Sequence, residues 1–156
     1  MERADLALWN KLLDTTLGLL ASLDELLESK HGLSALWYQV LATLESAHEG
    51  RLRLHELASA IRLSQSGTTR LVDRLEKEGL VERSSCPSDR RVVYSSLSTA
   101  GKSALTAARP EWEDFLEAHF ALPLGTEHQK TLALILEHLQ PGDTRLATCP
   151  KALASD

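Results

Sequence analysis

Leu54-His-Glu-Leu57-Ala58-Ser-Ala-Ile61-Arg-Leu63-Ser64-Gln65-Ser-Gly-Thr-Thr-Arg70-Leu71-Val72-Asp-Arg74-Leu75-Glu-Lys-Glu-Gly79-Leu80 is the stretch that decides the fold. Leu57, Ala58 and Ile61 recur at three- and four-residue steps, and so do Leu71 and Leu75 with Val72 beside them, which predicts two short helices over 55–62 and 65–79. Ser64 stands between them with a hydroxyl able to accept from the first free amides of the second helix. Leu63 is expected to plug the crossing, and Gly67 to let the helices approach closely. Gly79 has no Cβ to oppose a left-handed backbone, so it ends the second helix. The pattern is a helix-turn-helix.

Immediately downstream, Leu80–Ser84 and Val92–Leu97 are β-branched and alternating, hence strand-like. Ser85 to Arg91 between them is rich in turn formers. The expectation is a hairpin wing with Pro87-Ser88-Asp89-Arg90-Arg91 in its loop. Ser98 or Thr99 then caps a helix that begins near Ala100. The fold class is mainly α with a small β-hairpin wing, a winged helix-turn-helix module of about 50–98 flanked by terminal helices.

Working outward, residues 4–29 form an amphipathic helix with Leu6, Trp9, Leu12, Leu13, Leu17, Leu20, Leu23 and Leu27 along one side. Ser34 caps a second helix over 34–47, and Arg51–Leu54 leaves room only for a small edge strand. The helix from Ala100 runs towards Phe120, with a kink or a helix junction expected at Pro110. Leu122–Gly125 reads as a turn, 127–139 as the last helix, and 141–156 as a flexible tail. One domain over 1–140 is expected, with helices 4–29 and 100–139 carrying wide leucine faces that a small winged module would not cover by itself.

The net charge is −5, but it divides unevenly. Residues 50–101 hold nine Lys or Arg against six Asp or Glu, a balance of +3, and the remainder holds eight against sixteen, or −8. A basic module in an acidic frame suits phosphate attraction, which follows local potential rather than net charge. Cys86 and Cys149 are far apart and give no disulfide framework or zinc-ribbon spacing, so a cytoplasmic location is expected. No segment has the length of a membrane span. His31, His48, His55, His119, His128 and His138 are scattered, and no metal site or cofactor is expected. With no nucleophile elbow, phosphate loop or metal motif, catalysis is not expected either.

Ser66, Thr69, Arg70, Asp73, Arg74 and Lys77 share the polar side of the second helix. Such a face meets base edges in a major groove, with arginine pairing to guanine or phosphate; alone, it is also what an ordinary solvated helix looks like. An arginine at a hairpin tip suits the concentrated negative potential of a narrow minor groove, and Asp89 could orient it by pairing with Arg91 or Arg74. The candidate DNA contacts are therefore Ser66, Thr68, Thr69, Arg70, Arg74 and Lys77 in the helix, with Asp89, Arg90 and Arg91 in the loop.

Residues 54–101 resemble the MarR family of winged-helix regulators. The resemblance is carried by Leu57-Ala58, Thr69 through Glu76, Gly79 through Arg83, Pro87 through Arg91 and Leu97-Ser98-Thr99-Ala100-Gly101. The flanking helices match in order and length up to about residue 140. The resemblance implies a homodimer built mainly from the first helix and the last two, on a near-palindromic double-stranded DNA operator. It also implies that Arg91, with Arg90 beside it, enters the minor groove, steadied by Asp89. It further implies a repressor released by a small aromatic or phenolic effector, bound between the dimer helices and the reading module. Trp9, Trp37, Tyr38 and His48 are the candidate linings, although aromatic residues at helical spacing are commonly core. Alternative readings are a protein-interaction module without DNA binding, or a metal- or redox-responsive regulator with Cys86 beside Arg83, Arg90 and Arg91.

Overall fold

The computed structural model describes residues 3–85 and 92–139. The chain divides into two compact units, Met1–Glu117 and Ala118–Asp156. In the first, the order is α1 (Arg3–His31), α2 (Ala35–Ser46), a 3-10 turn (His48–Gly50), β1 (Arg51–Arg53), α3 (Leu54–Ala60), α4 (Gln65–Lys77), β2 (Val81–Ser85), β3 (Val93–Leu97) and α5 (Thr99–Leu116). A π-helical turn over Glu117–Ala121 leads to α6 (Leu122–Leu139). No helix among the described residues is long and apolar enough to cross a membrane.

The core of the first unit forms where the apolar stripes meet. Leu27 of α1, Val40, Leu41 and Leu44 of α2, Leu57 of α3, Val72 and Leu75 of α4 and Leu105 of α5 are fully buried together. The stripe of α1 is used over only part of its length. Leu23 and Leu27 are buried, whereas Leu6, Leu8, Trp9, Leu12, Leu13, Leu17 and Leu20 are exposed.

The three strands form an antiparallel sheet in the order β1-β3-β2. Val81 pairs with Leu97, Arg83 with Ser95 and Leu52 with Ser95, so these residues share one face. Val81, Ser95 and Leu97 are buried on it. Arg53, Tyr94 and Ser84 share the other face.

Local chemistry sets the boundaries. Ser34, Ser64 and Ser98 cap α2, α4 and α5, accepting from the amides of Trp37, Gly67 and Gly101. Helix α4 closes with paired bonds from Gly79 N to Glu76 O and from Leu80 N to Leu75 O, with Gly79 at φ +72°. Arg62 does the same for α3 at φ 55°, its neighbour Leu63 donating to Ala58 O.

Four expectations require correction. Helix α5 runs through Pro110 as one element, so the helix junction expected as one of two outcomes does not fall there. The carbonyl that proline leaves without an amide is that of Thr106, and Thr106 and Pro110 are both exposed residues. Ala108 and Phe115 meanwhile bury the two halves against one core. Leu63 is 37% exposed and does not plug the α3–α4 crossing. A Cβ on Gly67 would touch the cap hydroxyl of Ser64 at 3.1 Å, so that glycine serves the cap rather than a helix–helix contact. The turn expected over 122–125 falls inside α6 as a break at Gly125, whose φ is 62°. The 141–156 stretch lies outside the described residues.

Candidate nucleic-acid interface

The α4 cap fixes the site. Ser64 Oγ accepts from Gly67 N at 3.1 Å and Thr69 Oγ1 donates to Gln65 O at 2.8 Å, giving a rigid first turn. Ser66, Arg70, Asp73, Arg74 and Lys77 are exposed and Thr69 is half-buried. The structure brings these side chains onto one outward side of one helix, as their spacing predicts.

Thr68 is the exception, and its placement among the contact residues is corrected. It is fully buried, and its Oγ1 donates to Ser64 O at 3.0 Å. Thr68 stands three residues before Leu71 and four before Val72, so helical geometry places it on the core stripe. Its hydroxyl satisfies itself against the preceding turn, which allows a polar residue there.

One side chain that spacing alone had left unassigned ties the hairpin to this helix. Arg83 of β2 reaches Asp73 Oδ1 at 2.6 Å through Nη2 and Glu76 Oε2 at 3.1 Å through Nη1. The signal was present in the sequence. Arg83 is two residues from Val81, so strand alternation puts both on the inner face, towards the helices. Asp73 is thereby engaged with Arg83.

A second basic feature lies on the outer face of the sheet. The guanidinium of Arg51 stands 4.6 Å from the centre of the Tyr94 ring and that of Arg53 stands 5.6 Å away. Arg51 also pairs with Glu49 at 2.7 Å, and that hydrogen bond holds the Glu49 carboxyl below the usual carboxylate range. Asp89, Arg90, Arg91 and Cys86 lie outside the described residues.

The four candidate effector residues are not gathered at one place. Trp37 lines a cavity of about 310 Å³ with Glu28, Gly32, Ser34 and Arg74. Tyr38 lines a different groove, of about 500 Å³, with Trp112 and six other residues. Its ring stacks on Trp112 with centroids 4.2 Å apart and planes 12° from parallel. Burial raises its phenol above the ordinary tyrosine value of 10.0, opposed by a hydrogen bond from Arg109. Trp9 is exposed on α1 and His48 sits in the 3-10 turn, and neither lines those two cavities. Among the described residues, no three His, Cys, Asp or Glu side chains converge to hold a metal.

Residues 33–93 match the family model described as MarR family. Known proteins of the same type align over this region and beyond it. The crystal structure of a MarR family transcriptional regulator from Streptomyces coelicolor in complex with DNA superposes with a TM-score of 0.84. It is 29% identical, and the match covers 94% of each chain. Over residues 33–93 the chain is similar to the MarR family, and its fold is that of a MarR family structure. Its fold is the winged helix-turn-helix that MarR structures share, with α3 and α4 as the helix pair and β2–β3 as the hairpin. Among curated relatives, the transcriptional repressor MprA of Escherichia coli K12 is 33% identical over 79 residues, 51% of this chain and 45% of that one. The HTH-type transcriptional regulator MhqR of Bacillus subtilis strain 168 is 33% identical over 82 residues, 53% and 55% respectively. The chain thus spans about half the length of the curated relatives it matches.

Proposed function

We propose that this chain is a sequence-specific double-stranded DNA-binding transcriptional regulator of the MarR family and not an enzyme. The observation that carries the reading is the outward side of α4. A rigidly capped helix presents Ser66, Arg70, Arg74 and Lys77 to solvent, in the order short polar residue, then cations, that a major groove accommodates. The loop cations Arg90 and Arg91, oriented by Asp89, extend the contact into the neighbouring minor groove.

The regulator acts as a homodimer. Support comes from the apolar residues left uncovered on α1, Trp9, Leu12 and Leu17 among them, and separately from Leu134, Ile135 and Leu139 of α6. Two copies on a two-fold axis address a near-palindromic operator with half-sites about 10 bp apart. It represses, as the name of the Escherichia coli relative says of that protein, and a small planar effector releases it. The Trp37–Arg74 cavity supports that last step, because Arg74 belongs to the same helix that faces the DNA.

Selection from a pool of random duplexes on the purified chain tests the reading. Enrichment of a palindromic sequence bound in preference to its scrambled version is the expected outcome. A pool that returns unenriched, from a folded protein, contradicts it.

A further inference from the structure

The Arg83 contact reaches beyond stability. Asp73 and Glu76 sit at i and i+3 on α4, on the flank of the reading face that meets the hairpin. Two carboxylates there would repel a phosphate backbone. One guanidinium reaches both, Nη2 to Asp73 at 2.6 Å and Nη1 to Glu76 at 3.1 Å, and it does so from the inner face of β2. A planar guanidinium held at two of its nitrogens has little freedom to rotate. Strand and helix are therefore pinned at one relative angle, and half of the local negative charge is cancelled. Arg83 itself is 27% exposed, against 52% and 41% for its partners, so the cation is the more sheltered member.

We propose that Arg83 is a positioning residue for DNA selectivity: bridging Asp73 and Glu76, it fixes the hairpin against α4 so that both reach one duplex in register, and it masks the carboxylate flank of the reading face. This rests on the DNA-binding reading above and adds a residue that does not itself touch DNA. A lysine at this position could meet one carboxylate as a point charge but could not reproduce the two-nitrogen bridge.

The test compares wild type with Arg83→Ala, Arg83→Lys and the double variant Asp73→Asn/Glu76→Gln. Two probes are used in parallel, the duplex recovered by selection on the wild-type chain and its scrambled version. Arg83→Ala is expected to lower affinity for the selected duplex roughly tenfold, equivalent to about 1.4 kcal/mol. It should lower affinity for the scrambled duplex less, so the ratio between them falls. Arg83→Lys should fall between. The double variant separates the two parts of the proposal: without the carboxylates, scrambled DNA binds more tightly, yet the ratio still drops because the bridge is gone. Equal change on both duplexes would reduce Arg83 to a bulk charge and overturn the proposal, as would an unchanged ratio in a folded variant. Hydrogen exchange without DNA gives an independent check. Amides of β2 should exchange faster in Arg83→Ala while those of the α5 interior do not, and identical exchange overturns the bridge. If the wild-type chain selects no duplex, the DNA reading fails, and this exchange measurement alone decides whether Arg83 positions the hairpin.

Discussion

Gly101 lies so close to the backbone of Leu80 that a Cβ built on it would sit 2.0 Å from the Leu80 carbonyl oxygen. Ser98 completes the junction. Its Oγ donates to Gly79 O at 2.6 Å and accepts from Gly101 N at 2.9 Å. The Leu97-Ser98-Thr99-Ala100-Gly101 segment thus joins three things at one point: the end of α4, the root of the hairpin and the start of α5. Whatever happens along α5 is mechanically close to the reading module.

Gly101→Ala should therefore destabilise the fold. No side-chain rotation relieves a clash with a backbone oxygen, so the helix start must shift, at a cost of about 1–3 kcal/mol. Urea denaturation checks it. A midpoint equal to wild type would mean that α5 and Leu80 are not in contact.

Ser98→Ala removes both the α5 cap and the bond to Gly79 O. A loss of about 1–2 kcal/mol is expected. Ser98→Thr should retain part of it. Equal stability of the Ala and Ser proteins would show that the junction is held by packing alone.

How much of this was legible beforehand varies with the physics. Helix spacing and cap residues placed α2, α4 and both hairpin strands to within a residue or two, because those signals are local. The continuous α5 was not legible at Pro110. Whether a proline stops a helix depends on whether both halves bury against one core and whether the freed carbonyl faces water, and both are tertiary facts. Thr68 was misplaced for a related reason. Its residue type suggested a polar face, while its position relative to Leu71 and Val72 assigned it to the core. The Arg83 bridge was readable from strand alternation, but its partners on α4 follow only from how the hairpin folds back. The scatter of Trp9, Trp37, Tyr38 and His48 likewise depends on three-dimensional packing that spacing does not encode.

Arg70→Ala should weaken binding to a selected duplex by roughly 1–3 kcal/mol and relax preference at one base position. Arg91→Ala should produce a loss of similar size. Both proteins should melt as wild type does. A folded Arg70→Ala variant with undiminished affinity would remove that side chain from the reading face.

Leu12→Glu places a charge among the exposed leucines of α1, where Leu12 is 45% exposed. The prediction is a protein that sediments as a monomer while its circular dichroism stays helical. An unchanged dimer in the ultracentrifuge would locate the interface elsewhere.

Tyr38 predicts a pH dependence. Its phenol is raised in the folded chain, chiefly by burial, so the folded state holds its proton where the unfolded state has begun to lose it. Its contribution to stability is complete below the ordinary value of 10.0 and is lost as pH climbs through the higher folded value. Tyr38→Phe should flatten that alkaline decline in a denaturation series. A decline of equal steepness in both proteins would assign it to other groups.

The central claim, that the cationic side of α4 and the hairpin loop engage a DNA backbone, is tested most directly by fluorescence anisotropy on the selected duplex across a salt series. The logarithm of the binding constant should fall linearly with the logarithm of salt concentration, at about −0.9 for each phosphate neutralised, and several phosphates should be counted. Arg74→Ala and Lys77→Ala should each lower that slope by roughly one phosphate's worth. A flat salt dependence, or no binding to any duplex by the folded chain, would contradict the account.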